Sequence, residues 1–230
     1  MSSPTQDPVD QPAQRLKAEE VFDRERKSNR TRALALLTYH AGRGCRATAR
    51  LVTKLAEPVS HSPISTWHQR ASQLFRHRPA QRHEVLVADE TTIHVEHEDG
   101  ELEEYFLWAA INPRTEEVVY ATVTQGRSGL EALGFVRGVL RYCTNVPYFL
   151  VDAADWYPWA FETVGADYDA VEGGVRNQVE TWIGLAKNRM RAFRERFPHN
   201  AGWDRIRAWA QADAHLYNRD RHDRGEPRLT

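Results

Sequence analysis

The amino-acid sequence predicts a small all-α domain followed by a larger α/β domain in which helices flank a mixed β-sheet. Two observations lead to this prediction. Helical periodicity dominates residues 15–82, whereas from residue 83 short apolar or alternating runs typical of strands are followed by runs with a period of 3.6 residues. A chain of 230 residues with 41% hydrophobic side chains is also long enough to bury a substantial core.

The first domain is predicted to be helical after a short tail. Residues 1–14 are rich in Pro, Ser, Asp and Gln, a composition that predicts disorder. A highly charged helical pattern follows over residues 16–27. Three further helices are predicted over residues 32–40, 46–55 and from Ser62, which is a good N-cap before Pro63. This pattern is typical of helix-turn-helix domains, and other small helical bundles share it.

The last of these helices has two faces. Its apolar residues recur at spacings of three and four and predict the buried face: Ile64, Trp67, Ala71 and Leu74. The polar residues on its other face are able to bond base edges or phosphates in a major groove: Thr66, Gln69, Arg70 and Gln73. The run RHRPAQRH then predicts an exposed linker, with the domain boundary near residue 82.

The second domain, residues 83–230, begins with strand-forming runs. VLVAD, TTIHVEH, YFLWAAINP and EEVVYATVT fit an antiparallel meander of three strands, with a turn at Asn112-Pro113. Residues 129–142 have helical periodicity and lead to PYFLVD, which predicts a helical crossover into a further strand. A short helix over 156–164, a strand near 168–171 and helices over 177–197 and 203–218 complete the chain. The order β-β-β-α-β-α-β-α is that of the ribonuclease H-like fold.

The net charge of −1 conceals a very uneven distribution. Residues 15–82 contain 15 Lys and Arg against 5 Asp and Glu, residues 84–180 contain 5 against 19, and residues 181–230 contain 11 against 6. Basic flanks around an acidic centre indicate contacts with a phosphate backbone and carboxylates that hold cations. Solvated surface charge distributed by chance is the alternative.

Composition also limits the class of protein. No run approaches the roughly 18 apolar residues of a membrane span, and the first residues lack the apolar segment of a secretory signal. We therefore expect a cytoplasmic protein without a membrane partner. Cys45 and Cys143 are the only cysteines, which excludes a Cys-rich zinc module and argues against a disulfide framework. Both are expected to be buried small hydrophobes.

Two acidic residues each end an apolar run. Asp89 follows VLVA, and Asp152 follows YFLV. If the two strands lie side by side, both carboxylates project at the same sheet edge, where hard oxygen ligands bind Mg²⁺. For either residue alone, the alternative is a turn or cap role.

A third acid, Glu180, is predicted on a helix. It lies beside an apolar stripe that consists of Val179, Ile183, Ala186, Met190, Phe193 and Phe197. Lys187 follows two turns later on the same face, and Arg191 and Arg194 continue the row. This arrangement is expected if the acid completes a metal site and the cations hold a DNA strand. A solvated charged helix face is the alternative.

These motifs together resemble the short DDE transposases of insertion sequences that transpose by forming cointegrates. The resemblance covers essentially the whole chain and rests on VADET, YFLWAAINP, QGR at residues 125–127, FLVDAADW and RNQVETWIGLAKNRMRAF. Arg176 and Asn177 match the family's Arg-Asn pair before the third acid. The family also has a helix-turn-helix ahead of its catalytic domain. Two places depart from the family pattern. Ala153 stands where relatives commonly have a Gly after the second acid, and residues 173–175 stand where they have a His-Gly before the Arg-Asn pair.

The resemblance implies a transposase that binds terminal inverted repeats and catalyses magnesium-dependent nicking of DNA 3′ ends and strand transfer. It implies catalytic and metal-binding roles for Asp89, Asp152 and Glu180. Two Mg²⁺ ions roughly 3.5–4 Å apart would be bridged by Asp89, with Mn²⁺ able to substitute. The residues implied in DNA contacts are Lys187, Arg191, Arg176 and Asn177. Since transposases act on paired DNA ends, the resemblance also implies at least a homodimer, associated with the nucleoid.

Other sequence features do not suggest a different chemistry. We find no nucleophile elbow and no Cys-His pattern with convincing context. We assign the scattered histidines to surface or core, namely His94, His97, His199 and His215. Asp155 is interpreted as an N-cap of the following helix. A hydrolytic nuclease, a transposase-derived DNA-binding regulator without catalytic activity and a plain interaction module remain the alternatives.

Overall fold

The computed structural model describes residues 7–22, 26–97, 100–174, 177–191 and 201–223. The chain divides after His77 into two compact units. Across the ranges just given, no helix combines the length and the apolar character needed to cross a bilayer.

The described part of the first unit contains four helices: α1 (Asp10–Ala18), α2 (Asn29–His40), α3 (Cys45–Leu55) and α4 (Ser62–Arg76). Helix α2 contacts each of the other three. Ser28 caps α2, because its hydroxyl accepts a hydrogen bond from the Thr31 amide at 3.1 Å. Every helix contributes a fully buried aliphatic side chain to the core: Leu16, Leu36, Val52 and Ile64. The three helices predicted after residue 30 are therefore present.

The start of the chain differs from the prediction. Helix α1 begins at Asp10, inside the segment predicted to be a disordered tail, and it ends at Ala18 instead of continuing to residue 27. Val9, Pro12 and Leu16 are buried. Their spacing of three and four residues places them on one helix face, so that packing stabilises a helix that the average composition did not reveal.

Within its described residues, the second unit contains five strands and four helices. In chain order these are β1 (Val85–Glu96), β2 (Leu102–Asn112), β3 (Glu117–Thr124), α5 (Gly129–Leu140), β4 (Tyr148–Val151), α6 (Tyr157–Val164), β5 (Tyr168–Ala170), α7 (Asn177–Arg191) and α8 (Trp203–Asp223). The strands form one sheet in the order β3-β2-β1-β4-β5. Strands β1, β2 and β3 pair antiparallel, whereas β4 is parallel to both β1 and β5. The predicted mixed sheet and element order are confirmed.

Helices cover both faces of this sheet. Leu86, Ala88 and Trp108 share a buried core with side chains of α5 and α6. Helix α7 packs on β1 and β2, and α8 packs on β3 and β2. The alternate strand residues Val87 and Ala109, which project to the opposite face, are fully buried as well. Burial on both faces explains why these strands are apolar along much of their length.

Three local predictions are wrong. VLVAD and TTIHVEH form the single strand β1, which pairs with β2 along almost its whole length. From Arg78 onward the predicted linker belongs to the second unit, where Arg78 donates to the Val118 carbonyl at 2.8 Å and its guanidinium lies 4.7 Å from the Tyr142 ring. Asp155 is not an N-cap: Trp156 holds that position, without a side-chain cap.

The cysteines and the helix ends also differ slightly from expectation. Cys45 and Cys143 are free and half-buried rather than fully buried. Helix α8 extends to Asp223, five residues beyond the predicted end at residue 218. The predicted continuation of α7 through Phe193, Arg194 and Phe197 lies outside the described residues.

Candidate carboxylate site

The pairing of β1 with β4 brings the two strand acids together. Val85 is aligned with Tyr148, and Val87 with Leu150, in a parallel register. Continuing that register by two residues sets Asp89 opposite Asp152, the first residue after β4. Neighbouring strands are about 4.8 Å apart, and residues at matching parallel positions project from the same face. The register therefore places the two acidic residues at neighbouring positions of the sheet.

Asp89 is not at a strand end, contrary to the prediction. It lies within β1 and is 7% exposed. The register still aligns it with Asp152, because β4 stops at Val151 while β1 continues past its neighbour. Among the strands that the structure describes, β1 pairs beyond this point with β2 alone.

One oxygen of each acid is occupied by nearby backbone. The Oδ1 atom of Asp89 accepts from the Glu90 amide at 3.0 Å, and the Oδ1 atom of Asp152 accepts from the Ala154 amide at 3.2 Å. Asp152 is half-buried. These bonds limit the rotation of both carboxyl groups.

The negative charges of Asp89 and Asp152 affect the pKa of the neighbouring Glu90. Burial raises the pKa of Glu90, and the charges of Asp152 and Asp89 raise it further, while Tyr157 and Arg127 act in the opposite direction. Two adjacent carboxylates on a partly buried sheet edge are a donor set suited to a divalent cation with oxygen ligands. Asp89 and Asp152 are therefore residues that could hold a metal ion.

Glu180 lies in the first turn of α7 and is exposed. Val179, Trp182 and Ile183 form the buried side of this helix, which packs on β1 and β2. In the part of the chain that the structure describes, no three His, Cys, Asp or Glu side chains are grouped so as to hold a metal ion. The structure thus pairs Asp89 with Asp152 but does not assemble Glu180 with them.

The predicted DNA-contacting residues of α4 lie away from the core. Thr66 and Arg70 are exposed, and Gln69 and Gln73 are half-buried, whereas the four predicted apolar residues are buried. The division of this helix into two faces is therefore as predicted. Arg70 also lies over Phe22, with its guanidinium carbon 5.8 Å from the ring centre.

The remaining predicted contacts lie on or near α7. Asn177 is exposed at the first position of the helix, and Lys187 is half-buried. Arg176 and the side chain of Arg191 lie outside the described residues. Their roles stay predictions.

Sequence reasoning missed a buried polar network beside the acids. The Glu90 side chain is 3% exposed, accepts a hydrogen bond from the Tyr157 hydroxyl at 2.7 Å and lies 3.6 Å from the Arg127 guanidinium. Strand alternation gives a signal for it, since Glu90 continues the buried series of Leu86 and Ala88. An acid at an inward-facing strand position requires polar partners.

Three of the scattered histidines are described and behave as expected of surface or core residues. His94 is half exposed, His97 lies 2.8 Å from the Glu103 carboxylate, and His215 is buried. His199 lies outside the described residues.

Comparisons with known proteins give similarity without an established activity. No protein-family model matches the chain. An uncharacterized protein of Methanocaldococcus jannaschii is 29% identical over 198 residues, which cover 86% of this chain and 90% of that protein. An uncharacterized protein of Aquifex aeolicus is 36% identical over 58 residues, 25% of this chain and 48% of that protein.

Among solved structures, a simian T-cell lymphotropic virus intasome in complex with a PP2A regulatory subunit is similar at 13% identity, with a TM-score of 0.41. The similarity covers 79% of this chain and 64% of that one.

Proposed function

We propose that the chain is the transposase of an insertion sequence, which binds terminal inverted repeats and catalyses nicking of DNA 3′ ends and strand transfer. The observation that carries the proposal is the parallel register of β1 and β4, whose continuation aligns Asp89 with Asp152, the first residue after β4. The order of the motifs along the chain supports the same assignment.

The fold we propose for the second unit is ribonuclease H-like. An antiparallel meander of three strands continued by two parallel strands, in the order β3-β2-β1-β4-β5, supports it. Helices on both faces and a helical crossover from β3 to β4 are consistent with this topology.

The catalytic residues in this proposal are Asp89, Asp152 and Glu180. Mg²⁺, when bound, would acidify a water or a 3′-hydroxyl and stabilise the leaving oxygen. Asp89 and Asp152 would hold the cation through their carboxylate oxygens, which suit a hard ion. Asp89 projects to the face on which α7 packs, so Glu180 has to reach the pair from that helix. Two ions are proposed, with Mn²⁺ as a substitute.

DNA would be held at two places. On α4, Thr66 and Arg70 are exposed and suited to groove or phosphate contacts, together with Gln69 and Gln73. Lys187 and Asn177 on α7, with Arg176 and Arg191, would contact the backbone near the scissile phosphate. The basic charge of residues 15–82 and 181–230 supports both assignments. Action on two DNA ends calls for a homodimer or a larger assembly, associated with the nucleoid.

The test compares the native chain with Asp152→Asn on a labelled inverted-repeat end, a target plasmid and Mg²⁺. Joined products should form with the native chain, and their rate should fall by at least about 100-fold in the variant, because removing a ligand charge weakens the cation site. Asp155→Asn is the matched control, since Asp155 is exposed and lies only three residues away. It should join DNA at the native rate.

The same assay separates the alternatives. Cleavage without joining would favour a hydrolytic nuclease. Tight binding of the inverted repeat without cleavage or joining would favour a DNA-binding regulator. Equal joining by the native chain and Asp152→Asn would refute the catalytic assignment.

A further inference from the structure

The Glu90 network lies on the opposite face of β1 from the candidate metal ligands. Consecutive strand residues project to opposite faces, so Glu90 points toward α5 and α6 when Asp89 points toward α7. The carboxylate of Glu90 accepts from the Tyr157 hydroxyl at 2.7 Å through Oε2 and faces Arg127 at 3.6 Å through Oε1. It therefore joins three segments of the chain at one point.

Tyr157, one of the two partners of Glu90, is rigidly packed. Its side chain is fully buried in the first turn of α6. The ring makes an edge contact with Trp108 at 6.0 Å and stacks on Phe161 at 5.7 Å. A hydroxyl on a ring held in this way has little freedom to move away from Glu90.

Arg127 is positioned by aromatic rings. Its guanidinium carbon lies 4.5 Å from the Trp156 ring centre and 5.1 Å from that of Phe106. Although the side chain is 40% exposed, these contacts direct it to Glu90. The sequence motif QGR thus supplies a cation to the network.

The location of the bond matters for the acid pair. Glu90 directly follows Asp89, and Tyr157 lies only five residues beyond Asp152. Between β4 and α6, the chain from Asp152 to Trp156 has no strand pairing to fix it. The bond from Tyr157 to Glu90 spans this gap and links the two segments that carry the acids.

Burying the Glu90 carboxylate also costs desolvation free energy. An ionised group that is 3% exposed must be stabilised by partners, and the adjacent charges of Asp89 and Asp152 oppose its ionisation. An apolar side chain would pack at this position without that cost. A structural role alone does not account for the acid.

We propose that Glu90 is a positioning residue which, through Tyr157 and Arg127, sets the spacing of Asp89 and Asp152 for binding a divalent cation. The inference rests on the proposed function, since it assigns those two acids to the metal site. Positioning partners behind metal ligands commonly change affinity by about 10- to 100-fold when they are removed.

The experiment measures Mn²⁺ binding by electron paramagnetic resonance in the absence of DNA. The component of binding that Asp89→Asn removes defines the site. Tyr157→Phe should weaken this component about tenfold, because it deletes one hydroxyl and leaves every charge in place. Glu90→Gln should weaken it less, since its amide oxygen still accepts from Tyr157. Tyr148→Phe and Glu104→Gln are the controls, because both side chains lie outside the network. Both variants should bind Mn²⁺ with native affinity.

For Arg127→Gln, a charge effect and a positioning effect predict opposite changes in Mn²⁺ affinity. If only charge mattered, removing a cation near the site would strengthen Mn²⁺ binding. Positioning predicts weaker binding instead. Because Arg127 is partly exposed, this variant also serves if Tyr157→Phe loses its cooperative urea transition.

The outcomes separate the two proposals. Native Mn²⁺ affinity in Tyr157→Phe, or tighter binding in Arg127→Gln, overturns the positioning role even when Asp89→Asn still abolishes the site. If the native chain shows no component of Mn²⁺ binding that depends on Asp89, the metal site of the proposed function fails and the positioning role fails with it.

Discussion

The packing of α5 against β3 leads to a quantitative prediction at Gly138. A Cβ atom at this position would lie 2.4 Å from Cε1 and 2.7 Å from the hydroxyl oxygen of Tyr120. The Tyr120 ring stacks on Tyr142 at 5.8 Å and contacts Phe135 at 6.0 Å, so it has little room to retreat. Overpacking of this kind costs about 1–3 kcal/mol, and the better helix propensity of Ala offsets at most about 1 kcal/mol. Gly138→Ala should lower the free energy of unfolding by about 1–2 kcal/mol.

Gly134, one turn earlier in the same helix, provides the matched control. It is exposed, and a Cβ atom there would meet nothing within 4 Å. Gly134→Ala should therefore raise the free energy of unfolding by up to about 1 kcal/mol. Urea denaturation followed by circular dichroism measures both variants, and their difference isolates the Tyr120 contact from helix propensity. Equal stabilisation by both substitutions would refute the close packing of α5 on β3.

Two further predictions concern polar groups outside the site. Asn218 of α8 donates to the Val118 carbonyl at 2.9 Å and accepts from its amide at 2.8 Å. Because Arg78 also donates to that carbonyl, Asn218→Ala should leave the buried Val118 amide unpaired and cost about 1–3 kcal/mol in urea denaturation; an unchanged midpoint would contradict this. Hydrogen bonds from Ser28 and Thr31 lower the pKa of Glu57 from 4.5 to about 2. The stabilisation from ionised Glu57 is thus fully present above pH 4.5 and disappears as the pH falls toward 2, so the stability difference between the native chain and Glu57→Gln should shrink over that range; a constant difference would exclude the linkage.

Much of the second unit could be predicted because its strands and helices have distinct periodicities. Alternating residues identify β3, and the helical stripe around Phe135 and Val139 identifies α5. The predicted end of the first strand at Asp89 was wrong because the run around Glu90 lacks the expected apolar alternation. An acid and two threonines at this position resemble a turn in sequence, whereas Tyr157 and Arg127 satisfy the acid only in three dimensions. Such partners lie 67 and 37 residues away, beyond any local pattern.

The first unit illustrates the opposite limitation. Average composition predicted disorder for its first residues, since three apolar side chains are few among many polar ones. Their spacing matters more than their number: Val9, Pro12 and Leu16 share one helix face and are buried. Short amphipathic segments of this kind gain stability from tertiary packing, which sequence averages do not represent.

The three acids differ in how firmly the backbone fixes them. Asp89 lies in β1 and Asp152 directly follows β4, and the hydrogen-bonded register of these two strands leaves no intermediate positions, since a slip of one residue would turn an acid to the other face. Glu180 is on a helix that meets the sheet through apolar side chains such as Trp182, and such packing restrains position without a comparable register. A helix can therefore adjust by a small shift at lower cost than a strand. In the proposed function, strand pairing would therefore supply a preformed half of the metal site, whereas the approach of Glu180 would depend on a shift of α7 on binding of a cation or DNA.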